Sequence, residues 1–262
     1  MKIHPTAIVD PQAQLGLDVE IGPYSIVSRD AIIGDNCIIQ SHVVIEGAVK
    51  MGTQNSIGHG TIIGTTPQDL KFNPRTQSGV EVGNGNIIRE HCTIHRGSTD
   101  GSATILGDRN FLLVGAHLGH DSRVGNDVVM ANDSLLGGHV HVGDGAFLGG
   151  GSMFHQHVRV GRLALAQGRT TRSVPPFVTA VANYALGINS VGLRRAGLSA
   201  AERDEIKRAF KLLYLSGLNR TQAAEKAREL KFGSLGCEFF DFVASAGKRG
   251  FVSYRARLES DE

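Results

Sequence analysis

The sequence predicts an all-β solenoid, a parallel β-helix, closed at its C-terminal end by α-helices. Three observations carry that expectation. An aliphatic residue recurs at every sixth position from Ile3 to Ile63 and, after interruptions, from Val82 to Ala166. Glycine often follows it, as at Ile21-Gly22, Ile33-Gly34, Val124-Gly125 and Val142-Gly143, and Asn, Asp or Gly fills the turn beyond. From Ser199 onward the apolar positions (Ile206, Phe210, Leu213) take helical spacing instead.

A hexad with one inward aliphatic side chain makes one short strand and one tight turn. Three hexads close a triangular coil, so residues 18 apart stack at the neighbouring-strand spacing of ~4.8 Å. Gly and Asn tolerate the positive φ that such corners demand. A β-sandwich would need period two and longer strands. Composition agrees: 34 glycines, no Trp and 6% aromatics suit a narrow aliphatic core with many tight turns.

The first run passes through Val9, Leu15, Ile21, Val27, Ile33, Ile39, Ile45, Met51 and Ile57 to Ile63. It breaks over 65–79, resumes one residue out of phase at Val82, Ile88 and Ile94, and breaks again near 97–103. From Leu106 it continues to Ala166, fades over 169–173, and meets a turn at Val174-Pro175-Pro176-Phe177. The expected division is a coil over 1–182 and a connector with a helical domain over 183–262, the stretch 178–198 being irregular. Ser199-Ala200-Ala201-Glu202 has capping-box spacing, and Gly217 is the expected C-cap of that helix. Further helices are expected over 221–230 and 234–246. A solenoid needs its open end covered, which is the structural use of such a segment.

Several function classes drop out. A net charge of +2 is too mild to argue for nucleic acid. The three cysteines, Cys37, Cys92 and Cys237, are far apart with no C-x-x-C, which reads as reduced thiols without a zinc knuckle. The N-terminus has no apolar signal region and no transmembrane run follows, so a cytoplasmic location is expected.

Stacking arithmetic collects the polar residues. Asp121, His139 and His157 are 18 apart and form one column; His120, Gly138 and Gln156 form the next, with His155 beside both and His117 one turn away. Any one of these histidines alone reads as a surface turn residue. Gathered on one edge, imidazoles raise each other's cost of charging, and near-neutral imidazoles suit general-base chemistry. Metal ligation is the competing use of the same cluster. The adjacency of His120 and Asp121 does not by itself orient the ring, because neighbouring strand side chains point to opposite faces. The excursion over 65–79, with Gln68-Asp69-Leu70-Lys71-Phe72, has no structural use in a regular array; long loops there are usually functional.

On these motifs the chain resembles a known family. Gln68-Asp69-Leu70-Lys71-Phe72, Thr93-Ile94-His95-Arg96-Gly97, Ala116-His117-Leu118-Gly119-His120-Asp121, Gly138-His139-Val140, His155-Gln156, Val174-Pro175-Pro176 and Lys248-Arg249-Gly250 are similar to those of the UDP-N-acetylglucosamine O-acyltransferases. The resemblance covers almost the whole chain. It implies a left-handed coil, a homotrimer, and transfer of a (3-hydroxy)acyl chain to the 3-position of a UDP-sugar as the first step of lipid A synthesis. The acyl donor would be the phosphopantetheine thioester of acyl carrier protein, with no metal and no other cofactor. By position, His120 would be the general base and Gly138 an oxyanion donor through its N–H. Asp69, Lys71 and His117 would line the acyl and sugar site, and His139, His155 and Gln156 the nucleotide-sugar and pantetheine region. Asn189 and Arg195 would reach the diphosphate from a neighbouring subunit, Arg by its fixed donor fork. Val191 and Ala196 stand where the family commonly carries Glu and Arg, and the 162–173 segment, where the family measures acyl length, is shorter. The alternatives are the 3-amino sugar analogue, the related N-acyltransferase of the pathway and, more remotely, a zinc enzyme like the γ-class carbonic anhydrases. The basic residues Lys207, Arg208, Lys211, Arg220, Lys226, Arg228 and Lys231 serve either as a solvated face or as a dock for acidic acyl carrier protein.

Overall fold

The computed structural model describes residues 1–247 and 249–255; Lys248 and residues 256–262 of the expected C-terminal segment lie outside them. Strands of two to four residues alternate with turns and wind through three parallel sheets. Among the described residues these hold 12, 9 and 8 strands. Sheet I begins with Lys2–Ile3 and Glu20–Ile21, sheet II with Ile8–Val9 and Ile26–Val27, and sheet III with Gln14–Leu15 and Ile32–Ile33. The hexad aliphatics point inward: Ile33, Ile39, Ile45, Ile57, Ile63 and Leu118 are all buried. Each such burial stabilises by about 1.5–3 kcal/mol. Ile3, in the open first coil, stays 39% exposed.

Register shows what the two breaks are. Regular strands pair 18 residues apart, as Glu20 with Ile38. Across the first break Ser56 pairs with Ile87, 31 apart (87 − 56), so 13 residues (31 − 18) are inserted. Across the second, Thr93 pairs with His117, 24 apart (117 − 93), an insertion of 6 (24 − 18). A one-hexad insertion leaves the phase unchanged, whereas thirteen shifts it by one. Both excursions leave a strand of sheet II, Ile62–Thr65 or Thr93–His95, and return to one of sheet III, Gly79–Val82 or Ala103–Leu106. They therefore emerge from the same corner, II/III, as the turn between His117–Leu118 and Arg123–Val124.

Beyond the coil the structure corrects the expected irregular connector. Val178–Val181 continues sheet I in parallel, Tyr184–Ile188 pairs back antiparallel, and helix α1 follows over Ser190–Arg195. Sequence spacing hides these strands because, among the described residues, they form the only antiparallel pair of the sheet and their parallel neighbours, Leu165 with Thr179 and Tyr184 with Ser253, are off the hexad spacing too. Helix α2 (Ala200–Tyr214) starts with the expected capping box, Ser199 with Glu202. It ends two residues sooner than expected (217 − 215), at a Leu215 cap bonded to Lys211, and Gly217 takes φ 77° just past it. Helix α3 (Arg220–Glu229) has its own box, Asn219 with Gln222; α4 spans Ser234–Ala244. Phe177 and Phe239 are fully buried under this cap.

Candidate active site

The II/III corner is built on backbone that glycine usually supplies. Asp121, His139 and His157 all take left-handed φ, 59°, 58° and 64°, so the column predicted from spacing is present. That conformation overturns the expectation about His120 and Asp121. The pair sits in a turn, not a strand, and left-handed φ swings the carboxylate back onto its neighbour. Asp121 Oδ2 lies 2.8 Å from His120 Nδ1, with the side chains only 11% and 12% exposed. The same oxygen accepts from Ser98 N at 3.0 Å and Ser98 Oγ at 2.6 Å. Burial pushes the Asp121 carboxyl up, but hydrogen bonds from Ser98, His120 and Ser102 outweigh it and hold it below the usual range. An ionised carboxylate accepts only, so His120 Nδ1 carries a hydrogen, and in the neutral ring that tautomer leaves Nε2 as the acceptor.

His120 Nε2 faces Gly138. A Cβ at Gly138 would sit 2.4 Å from that nitrogen, so only glycine allows the approach. The Gly138 N–H donates to no partner among the described residues. His139 packs edge-on against His120, centroids 5.0 Å apart, and its Nε2 is 3.8 Å from Asp121 Oδ2. His157 stacks flat on His139 at 4.7 Å. Burial, partly offset by Asp121, lowers the His139 pKa, with His120 and His157 adding to the drop. His155 and Gln156 are exposed at the next coil. The His155 ring turns toward its own neighbour, Nδ1 lying 3.4 Å from the Gln156 carbonyl.

His117, on the sheet II side, bonds Thr93 Oγ1 at 2.7 Å through Nδ1. Burial, with His95 beside it, pushes its pKa down to about 4. Asp69 and Lys71 stand exposed on the first excursion, where Asp69 Oδ1 accepts from the Lys71 N–H at 2.9 Å. Asn189 and Arg195 are not brought to this corner. Asn189 is buried at the III/I corner, where it caps α1 through Gly192 N and donates to the Leu163 carbonyl at 2.9 Å. Arg195 is exposed in the last turn of that helix.

Sequence reasoning misses Ser98 and Ser102, which hold the carboxylate, and the orienting role of Asp121. The capping chemistry of Ser near an Asp is the available signal, but the six-residue insertion hides their proximity. The ligating atoms of His120, Asp121 and His139 lie within 4.8 Å of one another. Hydrogen bonding accounts for the His120–Asp121 part of that cluster, Asp121 Oδ2 receiving Ser98 N, Ser98 Oγ and His120 Nδ1, whereas His139 stands 3.8 Å from the same oxygen.

A coil of hexads carrying a carboxylate-oriented imidazole against a bare glycine defines a hexapeptide-repeat transferase. The family model described as "Bacterial transferase hexapeptide (six repeats)" matches residues 12–47, and that described as "Udp N-acetylglucosamine O-acyltransferase; Domain 2" matches 174–252. The acyl-[acyl-carrier-protein]–UDP-N-acetylglucosamine O-acyltransferase of Halorhodospira halophila is 42% identical over 229 residues, covering 86% of this chain and 88% of its own. That of Syntrophobacter fumaroxidans is 38% identical over 259 residues, covering 96% and 100%. The solved UDP-N-acetylglucosamine O-acyltransferase of Moraxella catarrhalis superposes with TM-score 0.91 at 37% identity, covering 96% of this chain and 100% of its own; the Campylobacter jejuni enzyme gives 0.91 at 35%, covering 97% and 100%. The chain belongs to the acyl-[acyl-carrier-protein]–UDP-N-acetylglucosamine O-acyltransferase family. The coil is thus a left-handed parallel β-helix with a helical cap, as the motifs implied.

Proposed function

We propose that this enzyme moves a 3-hydroxyacyl chain from the phosphopantetheine thioester of acyl carrier protein to the 3-hydroxyl of UDP-N-acetylglucosamine, the first step of lipid A synthesis. The observation that carries the reading is the Asp121–His120 pair, 2.8 Å apart, with Nε2 directed at Gly138. His120 Nε2 takes the proton from the 3-hydroxyl as that oxygen attacks the thioester carbonyl. The tetrahedral oxyanion is held by the Gly138 N–H, a contact of the kind worth ~3 kcal/mol in acyl transfer. Collapse breaks the C–S bond, and the leaving thiolate takes the proton back from the imidazolium, giving ester and free carrier thiol. Asp121 stabilises the transient cation.

Asp69, Lys71 and His117 line the acyl and sugar end, and His139, His155 and Gln156 the nucleotide and pantetheine end. Asn189 and Arg195 complete the diphosphate site from a neighbouring copy in a homotrimer. The sheet faces support that assembly. Sheet I shows Ile38, Ile87 and Phe147 to solvent and sheet II shows Ile8, Ile26 and Met153, while sheet III presents Lys50, Glu81, Arg123, His141 and Arg159 with Ile32. Packing sheet I of one copy on sheet II of the next would cover both apolar faces. Among the described residues no helix is long and apolar enough to cross a membrane, and the free buried thiols of Cys37 and Cys92 suit the cytoplasm. Carrier protein docks on the exposed basic face of α2 at Lys207, Arg208 and Lys211.

The test is a purified-protein assay with UDP-N-acetylglucosamine and 3-hydroxyacyl carrier proteins of several lengths, with a chelator present. Transfer at an unchanged rate is expected. Activity only on the 3-amino sugar, or only with zinc, would replace this reading with one of those alternatives.

A further inference from the structure

The stretch Ile94-His95-Arg96-Gly97, where the second excursion begins, has no part in the chemistry above. His95 is 6% exposed, and a buried imidazole needs a partner. It has one: Nδ1 lies 2.5 Å from the carbonyl oxygen of Thr66, where the first excursion leaves its strand. A carbonyl can only accept, so Nδ1 carries the hydrogen and the tautomer is fixed. On its other side the ring packs edge-on against His117, centroids 5.0 Å apart. Burial lowers the His95 pKa, which keeps the ring neutral beside a second imidazole.

The strand ladder cannot aim the excursion by itself. Ile63 pairs with Ile94, but the register slips by the next pair, Thr65 with His95, around Gly64 at φ 94°. The ladder ends at Thr65, whose carbonyl takes the Arg96 N–H, and the His95 bond is the first contact beyond it, on Thr66. Arg96 spans both limbs: its N–H donates to the Thr65 carbonyl at the root at 3.0 Å, Nη2 to the Pro74 carbonyl on the returning limb at 3.2 Å, and the guanidinium lies 5.2 Å from the Phe72 ring centroid. The tip is internally tied, Asp69 accepting from Lys71 N and, through its carbonyl, from Phe72 N. A loop tied at its tip moves as a lever about its root.

We infer that His95 is a positioning residue whose bond to the Thr66 carbonyl sets how the first excursion leaves the coil, and so where Asp69 and Lys71 stand relative to His117 and His120. The consequence for activity rests on the function proposed above; the pinning does not. Three variants separate the possibilities. Asn places an amide N–H close to where Nδ1 stands, Gln keeps the polarity but carries its donor one bond further out, and Leu has none.

Amide hydrogen exchange over 66–78 is measured beside steady-state kinetics. His95→Leu is expected to speed exchange there, leave the strands Ile62–Thr65 and His117–Leu118 protected, and lower kcat/KM by about 10- to 100-fold, mainly in kcat. His95→Asn recovers most of both properties and His95→Gln neither. Unchanged exchange in the Leu variant, or recovery by Gln equal to that by Asn, overturns the inference. If the Leu variant does not fold, the Asn–Gln contrast decides. A wild-type protein inactive on the UDP-sugar would remove the function reading alone, because the exchange arm still decides the pin.

Discussion

The III/I and II/III corners have the same backbone and opposite uses. At III/I the first turn residue of most coils folds its side chain over the backbone of the coil before it. Asp108 Oδ1 accepts from Asn84 N at 2.7 Å, Asn126 Oδ1 from Asp108 N at 2.8 Å, and Asp144 Oδ1 from Asn126 N at 2.7 Å. The second turn residue is left-handed, Asp127 at φ 56°, as Asp121 is at φ 59°. At II/III the equivalent first positions are His120, Gly138 and Gln156. Glycine cannot cap the His120 N–H, and Gln156 does not cap that of Gly138 among the described residues. One corner satisfies its own polar groups and gains stability. The other leaves the Gly138 N–H without a partner among the described residues, beside His120 Nε2, which on the proposed mechanism is where the reacting carbonyl and hydroxyl are met. On that reading a repeat fold becomes a catalyst by omitting its corner caps on one edge.

The contrast is tested most severely at the two residues to which the proposed mechanism assigns the chemistry. His120→Ala should lower turnover by about 10³-fold or more while the circular dichroism and melting temperature of the coil stay near wild type. Substantial remaining activity would mean that another group takes the proton. Gly138→Ala is expected to be next in size. Its Cβ would lie 2.4 Å from His120 Nε2 and 2.5 Å from Cε1, so the ring must rotate off Asp121. A loss of about 10²-fold in kcat is expected, together with disappearance of the low-field His120–Asp121 proton in the NMR spectrum. An active Gly138→Ala enzyme would show that the corner tolerates a side chain there.

The coil is legible in the sequence because one inward aliphatic per hexad is a redundant signal, repeated from Ile3 to Ala166. The column of Asp121, His139 and His157 is legible for the same reason, since no insertion lies between them. Contacts across the second excursion are not. Adding 18 to Ser98 gives 116, whereas its partner is Asp121, and only the structure reveals the inserted hexad. His95 beside His117 is hidden the same way. The turn at His120 and Asp121 reads as strand because sequence spacing does not announce left-handed φ at a non-glycine residue. Asn189 looks available for a ligand, yet within this chain both ends of its amide hold α1 to the last coil.

A smaller effect distinguishes the corners by pH. His117, buried near the II/III corner, has its pKa pushed down to about 4 from the ordinary histidine value near 6.5. Between those values the unfolded chain binds the proton and the native one does not, so stability is full above about pH 6.5 and falls as pH drops toward 4. Melting temperatures should decline over that window, and His117→Gln should flatten the decline. The His117 ring should titrate by NMR near 4 as well. A ring titrating near 6.5 would place it in water.

The smallest expected effect sits at the other corner. Asn126→Ala removes the acceptor for Asp108 N, a 2.8 Å bond, and leaves that N–H partly buried without it. The loss should be about 1 kcal/mol of stability, within the range for one neutral hydrogen bond, and kcat/KM should stay at the wild-type value because nothing at III/I in this chain faces His120. The paired outcome is what matters: a melting shift without an activity change at Asn126, against an activity change without a melting shift at His120. If Asn126→Ala lowered activity with little change in melting, the III/I ladder would be part of the reacting edge, as a neighbouring copy could make it. The division of labour between the corners would then belong to the assembly and not to the single coil.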